Sequence, residues 1–119
     1  MKIELNQKEY KLFFKDSWED CSYIIGKTFR RNGEKFISTE YIKGKERVVE
    51  CFVTDVNNKI FAKGNSRCYY KDRFVKEKGR TKAIKNLCFG SLAGWDDIAA
   101  ILRENVLNQY NNRKNEKFN

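Results

Sequence analysis

The sequence predicts an α+β fold, an antiparallel four- to five-stranded meander followed by two C-terminal helices. The first two-thirds of the 119-residue chain consists of extended runs of β-branched and aromatic residues separated by turn signals. The last third spaces its apolar residues by three and four, which is the spacing of one helix face. A chain of this length is typical of one domain. We place that α+β domain at residues 1–111 and predict a flexible C-terminal tail at residues 112–119.

The predicted strands are joined by short turns. Asn32 and Gly33 form a strong two-residue hairpin signal, because both residue types tolerate the positive φ that such turns require. A second turn is predicted at residues 43–45, which read Lys-Gly-Lys. The strands themselves are predicted at residues 2–5, 10–14, 22–31, 35–42, 47–55 and 59–63.

The first helix is predicted over residues 71–89, with Asp72 placed to cap its N-terminus. The second is predicted from Trp95 to about Asn111, with acidic residues in its first turn where the helix dipole favours them. Its apolar stripe is wider than one sheet face needs, which indicates a second helix or another subunit. We therefore expect a homo-oligomer. The stripe includes Ile101, Leu102, Val106, Leu107 and Tyr110.

Positive charge is concentrated in one segment. Residues 59–85 contain ten basic residues and two acidic ones, in a chain whose formal net charge is +9. Clustered positive charge attracts anions, and like charges crowded together destabilise the folded chain unless a partner offsets them. Phosphate is the partner that this segment predicts.

The most specific part of that segment is the entry to the first predicted helix. The ligand-binding residues predicted there are Arg67, Tyr69, Tyr70, Arg73 and Arg80. A helix N-terminus offers unpaired N–H groups and the positive end of its dipole to an anion. Arginine suits the fixed geometry of phosphate, and a tyrosine ring can stack on a base. The alternative is a strand-to-helix junction in which the two tyrosines belong to the core.

Helical spacing adds two expectations for this segment. Arg73 and Arg80 lie seven residues apart, so on one helix both guanidinium groups could point the same way. Gly79 costs a helix about 1 kcal/mol relative to alanine, which predicts that a strand, a partner helix or a ligand approaches its backbone closely. We expect the neighbouring lysines to form a solvated face. They are Lys76, Lys78, Lys82 and Lys85.

The sequence lacks the residues that catalytic sites, metal sites and phosphate-binding loops usually contain. The chain has no histidine, the commonest general base and metal ligand. Its four cysteines form no Cys-x-x-Cys pair, so we expect reduced structural thiols and no metal site. Gly26, Lys27 and Thr28 resemble the end of a phosphate-binding P-loop, but Cys21 replaces the first glycine and the segment reads as a strand. We therefore expect a binding protein, not an enzyme, with no cofactor.

Residues 72–84 also carry a resemblance. Their pattern, Asp-x-Phe-x-Lys-Glu-x-Gly-Arg-x-x-Ala-Ile, resembles small bacteriophage and prophage proteins. In size, and in joining a sheet to two helices, the chain is similar to phage counter-defence proteins such as the Thoeris anti-defence sponges. That similarity implies oligomeric, non-enzymatic binding of a cyclic ADP-ribose type signal made by host TIR enzymes. It carries over no individual ligand residue.

The sequence hypothesis is thus a phage protein that sequesters a phosphorylated nucleotide signal in the cytoplasm of the host. No signal peptide or apolar run of membrane-spanning length is present in the sequence, so we expect no membrane partner. The alternative is binding of nucleic acid or a host nucleoprotein, as in an anti-CRISPR. A third class, a virion assembly protein, would need only the wide apolar stripe.

Overall fold

The structure is a computed structural model, and it describes residues 1–69, 72–94 and 96–118. Its elements are the strands β1 (Lys2–Leu5), β2 (Lys8–Arg31), β3 (Glu34–Thr54) and β4 (Ile60–Cys68), the helix α1 (Lys76–Lys85), a 3₁₀ helix (Gly90–Gly94) and the helix α2 (Asp96–Phe118). The strands form one antiparallel sheet in the order β1-β2-β3-β4. The predicted α+β class and the meander are confirmed, with four strands in the described part of the chain.

The largest departure from prediction is the length of β2 and β3, which contain 24 and 21 residues. The turn predicted at residues 43–45 is wrong, because Gly44 is extended and pairs with Cys21. The hairpin turn at Asn32 and Gly33 is confirmed, with φ values of 53° and 79°. From that turn the register continues without a break to the pair of Lys11 and Thr54, and this uninterrupted ladder leaves no place for a second turn.

The long hairpin extends far beyond the rest of the sheet. β1 pairs with β2 only over residues 8–11 of β2. β4 pairs with β3 only over residues 47–54 of β3. Beyond these points β2 and β3 pair with each other alone. We call residues 20–45 the arm, and the remainder of the sheet with its helices the body. The arm contributes to a molecule that measures 71 × 38 × 23 Å.

Both helices pack on one face of the body, which we call the helix face. Even-numbered residues of β2 and odd-numbered residues of β3 point to it, and the opposite side is the outer face. The apolar core lies between the helix face and the two helices. It includes Leu12, Val49, Cys51, Val53, Ile84, Leu87, Leu102, Val106 and Tyr110. The stripe predicted for subunit contact is therefore largely used within the protomer, and only Ile101 among its members is strongly exposed, at 58%.

The helix boundaries differ from the predicted ones at both ends. α1 begins at Lys76 after an extended Val75, and no side chain caps it, so the predicted capping role of Asp72 is wrong. α1 ends at Lys85, and soon after it Cys88 pairs with Lys63 as an additional bridge on the edge of β4. α2 continues to Phe118, so residues 112–118, predicted as a tail, are helical. No helix in the described ranges is long and apolar enough to cross a bilayer.

The contact of α1 with the sheet depends on Gly64 of β4. A Cβ placed on Gly64 would lie 2.8 Å from the backbone nitrogen of Leu87 and would also overlap the carbonyl oxygen of Ala83. Backbone atoms cannot move aside as a flexible side chain can. The absence of a side chain at Gly64 therefore sets how closely α1 approaches the sheet.

We predict that Gly64→Ala lowers the free energy of unfolding by ~3 kcal/mol, the upper range for forcing extra volume into a packed core. Gly26→Ala in β2 is the matched control, because its Cβ would meet nothing nearer than Ile37 at 4.0 Å. Urea denaturation of both variants measures the difference. Equal stabilities would contradict this account of the interface.

Candidate functional site

A cleft of about 400 Å³ lies where β4 leads into α1. It opens between the end of the sheet and the first turns of the helix. Among the described residues, its lining carries five basic residues and one acidic residue. The lining residues are Arg47, Ser66, Arg67, Cys68, Tyr69, Asp72, Arg73, Phe74, Val75, Lys78, Gly79 and Lys82. This is the junction at which the sequence predicts the ligand site.

The N-terminus of α1 forms one wall of the cleft. The first-turn N–H groups of any α-helix have no intrahelical acceptor, and at Val75 no side chain caps those of α1. Ser66 donates a hydrogen bond of 2.7 Å from its Oγ to the carbonyl oxygen of Gly79 and so ties β4 to the helix. A Cβ at Gly79 would lie 2.9 Å from Cγ2 of Val49. The close approach predicted for Gly79 is confirmed, and the neighbour is a strand.

Arg47 of β3 lines the cleft and is held by aromatic rings. Its guanidinium carbon lies 4.8 Å from the ring centre of Trp18 and 4.5 Å from that of Phe74. Its Nη2 pairs with Asp16 at 3.9 Å, while the buried Nε has no hydrogen-bond partner among the described residues. A planar cation that contacts two ring faces is restricted in orientation. Arg47 is therefore a preorganised positive charge.

The predicted ligand residue Arg67 is already paired. Strand alternation points its side chain to the outer face, where Nη1 lies 2.8 Å from Glu46 Oε1 and also contacts Glu19. The hydrogen bond from Arg67 lowers the pKa of Glu46, and the pKa of Arg67 is raised chiefly by its bond to Glu46. Two carboxylates offset this guanidinium, so it contributes little attraction for a phosphate.

Tyr69 and Arg73 lie in the loop between β4 and α1. Tyr69 is half exposed, at 47%, and its ring meets that of Tyr23 edge to face, with centroids 5.5 Å apart. Arg73 is exposed and takes part in no ion pair within residues 1–69, 72–94 and 96–118. Since α1 begins at Lys76, Arg73 precedes the helix, and the predicted two-turn alignment with Arg80 is wrong. Tyr70 lies outside the described residues.

Arg80 faces a different part of the molecule. It lines a second cavity of about 350 Å³ together with Glu77, Tyr110 and Lys114. Its guanidinium carbon lies 4.7 Å from the ring centre of Phe14. Arg67, Tyr69 and Arg73 therefore border one cleft, with the Arg67 guanidinium held by Glu19 and Glu46, and Arg80 lies apart from them.

Three cationic residues of the cleft were not among the predicted ligand residues. Lys78 and Lys82, predicted for the solvated face, lie on successive turns of α1 beside the cleft. The sequence does not distinguish them from the other lysines of the helix, because the flank that borders the cleft depends on how α1 docks on the sheet. Arg47 is brought in by its register with Trp18, a contact between distant parts of the sequence. The sequence around Arg47 has the alternation of an ordinary amphipathic strand. Local spacing alone therefore does not indicate that Arg47 belongs to the cleft.

The cysteines and acids give no sign of a metal centre. All four cysteines are free thiols, with Cys51 buried and Cys88 exposed. Burial raises the pKa of Cys51 to about 12, which keeps this thiol protonated. Within the described ranges, no three side chains of the metal-binding types cluster closely enough to hold an ion.

Comparison of the chain with protein-family models, with curated proteins and with solved structures finds no match.

The second cavity contains a hydrogen bond whose contribution to the stability of the fold depends on pH. Tyr110 donates from its hydroxyl to Glu77 Oε2 at 2.6 Å, and this bond is the main cause that lowers the pKa of Glu77. A carboxyl group whose pKa is lower in the folded state stabilises the fold at pH values above its unfolded-state pKa. This stabilisation is lost as the pH falls through the folded-state pKa.

We predict that Tyr110→Phe lowers the free energy of unfolding at pH 7 by about 1 kcal/mol, the value of one such bond. The variant should also lose less stability than the wild type on acidification below about pH 4.5. Urea denaturation from pH 7 to pH 3 measures both effects. Tyr10→Phe, whose ring stacks on Phe61, is the matched control. Parallel pH profiles for Tyr110→Phe and wild type would contradict the assignment.

Proposed function

We propose that the protein binds a phosphorylated nucleotide in the cleft between β4 and α1 and does so without catalysis. The observation that carries the proposal is the convergence of Arg47, Arg73, Lys78 and Lys82 beside the uncapped N-terminus of α1. Unpaired N–H groups, the helix dipole and fixed cations all favour a phosphate at the same place.

The dimensions of the cleft support a small ligand. A volume of about 400 Å³ falls within the range of small-molecule sites, roughly 300–1,000 Å³. Phe74 and Tyr69 add aromatic surface beside the cations, and an aromatic ring can stack on a nucleobase. Asp72 is the one carboxylate in the described lining, so a phosphate there would meet mostly positive charge.

The resemblance to phage counter-defence proteins suggests the biological setting of this binding. A protein that holds a cyclic ADP-ribose type signal without altering it would lower the free concentration of the signal in the host cell. The proposal therefore includes sequestration, with the ligand released unchanged.

Nucleic-acid binding is the second candidate, and the arm is the observation that favours it. A two-stranded β-ribbon fits the major groove of DNA, and the tip of the arm carries Arg30, Arg31 and Lys35 around its turn. In that case contacts would be spread from the tip of the arm to α1, and affinity would fall steeply as salt rises.

We predict that Arg73→Ala, Lys78→Ala and Lys82→Ala each weaken the binding of cyclic ADP-ribose about tenfold, because each removes a charge-assisted phosphate contact. Lys85→Ala is the matched control on the same helix, since Lys85 lies outside the cleft lining, and its affinity should stay within about twofold of wild type. Isothermal titration calorimetry measures the affinities.

Two further variants separate the candidate functions. Arg80→Gln should leave the affinity for cyclic ADP-ribose unchanged, because Arg80 faces the second cavity. Arg30→Gln at the tip of the arm should also leave it unchanged. Equal losses for Lys85→Ala, Arg30→Gln and the cleft variants, measured with duplex DNA as the probe, would favour nucleic-acid binding. No heat with cyclic ADP-ribose would reject this nucleotide as the ligand.

A further inference from the structure

Each outer strand of the body has a hydrogen-bonded neighbour at its edge, whereas the described residues place none along the edges of the arm. At the edge of β1, Gln109 of α2 exchanges two hydrogen bonds of 2.8 Å with the backbone of Glu4. At the edge of β4, Cys88 exchanges backbone hydrogen bonds of 2.9 and 3.2 Å with Lys63. In the described sheet, β2 has no second neighbouring strand beyond residue 12. An uncovered strand edge is a template for pairing with another strand.

The arm also exposes apolar side chains that a stable ribbon would bury. Ile24, Ile37 and Tyr41 are 63%, 75% and 75% exposed, and they lie far from the core. A two-stranded hairpin alone is at best marginally stable in water. A further strand at its edge would stabilise the arm, and the charges along the arm indicate which strand fits.

The edge of β3 does not suit pairing with its own copy. When two copies of one strand pair antiparallel about a two-fold axis perpendicular to the sheet, the residue on the axis faces its own copy. Residues that face each other are then both odd-numbered or both even-numbered. In the arm segment of β3, the acids Glu34 and Glu40 are even-numbered, whereas the bases Lys35, Lys43 and Lys45 are odd-numbered. No such register can place an acid opposite a base on this edge.

The edge of β2 is self-complementary by the same rule. Asp20 lies at the base of the arm with Glu19 directly before it, and the arginines Arg30 and Arg31 lie at the tip. A register centred on Ile25 places Asp20 opposite Arg30 on the helix face and Glu19 opposite Arg31 on the outer face. Asp20, Arg30 and Arg31 form no ion pair within the described part of the protomer, whereas Glu19 also contacts Arg67. Opposite charges that face each other across strands stabilise a sheet.

We propose that two copies of this chain pair through the β2 edges of their arms, antiparallel and centred on Ile25. The two hairpins then form one four-stranded antiparallel ribbon between two bodies. Each edge gains backbone hydrogen bonds along the arm, and each charge pair occurs twice because of the two-fold axis. Three or more strands reach the stability that a lone hairpin lacks.

Charge exchange tests the register. Asp20→Arg and Arg30→Asp alone each replace two attractive pairs by two repulsive ones, and each should weaken the dimer at least tenfold. The double variant Asp20→Arg/Arg30→Asp restores opposite charges in both pairs and should recover wild-type dimerisation. Sedimentation velocity over a concentration series measures the dissociation constants. Asp20 and Arg30 are both exposed in the protomer, so the fold should be unaffected.

Disulfide trapping provides a second test that does not depend on charge. In a Cys21→Ser background, Ile25→Cys should form a cross-linked dimer on oxidation, because facing residues in antiparallel strands have Cα atoms about 4.5–5.5 Å apart, within the range of a disulfide. Ile37→Cys in the same background is the control. Its side chain is 75% exposed but lies on β3, so it should cross-link much less. Mass spectrometry identifies the linked residues.

Three results would overturn the proposal. The first is a wild-type protein that stays monomeric at about 100 μM, a concentration that detects even weak pairing. The second is a double charge variant no better than the single ones. The third is equal cross-linking through residues 25 and 37. A monomer that changes its sedimentation only when duplex DNA is added would instead make the arm a nucleic-acid ribbon.

Discussion

The uninterrupted register between β2 and β3 is the constraint on which the rest of the structure depends. It begins at the turn formed by Asn32 and Gly33 and continues to the pair of Lys11 and Thr54. A shift of one residue would move every side chain to the opposite face. The same ladder therefore determines which residues enter the core, which residues line the cleft and which charges face outward along the arm.

The cleft follows from this register together with one close packing contact. The register sets Arg47 beside Trp18, and the bare backbone of Gly64 lets α1 approach the sheet. The N-terminus of α1 then lies next to Arg73 in the loop between β4 and α1. Arg67, by contrast, is drawn to Glu19 and Glu46 on the outer face. Strand alternation thus places Arg47 on the helix face beside the cleft and Arg67 on the outer face, where two carboxylates offset its charge.

The sequence predicted features that local patterns determine. The turn at Asn32 and Gly33 and the α+β order depend on residue type and short spacing, and the junction expected to bind a ligand contains a cleft. The continuity of the strands through Gly44 was not predictable in this way, because a Lys-Gly-Lys segment reads as a turn unless the facing strand is known.

The start of α1 was also missed, since no side chain marks it. The predicted helix included Arg73 and aligned it with Arg80. The observed helix begins at Lys76, after Arg73, and Arg80 faces the second cavity. Lys78 and Lys82 were left out for a related reason. Their place beside the cleft depends on the docking of α1 against β4, which no local spacing encodes.

A titration followed by nuclear magnetic resonance tests the central claim most directly. Backbone amide shifts of the ¹⁵N-labelled protein would be recorded as cyclic ADP-ribose is added, with inorganic phosphate as a minimal probe. The account predicts that the changes concentrate at Ser66 and Tyr69 and over residues 75–78, at the start of α1 where cations line the cleft. Changes confined to the arm, or to the cavity around Arg80 and Tyr110, would contradict it.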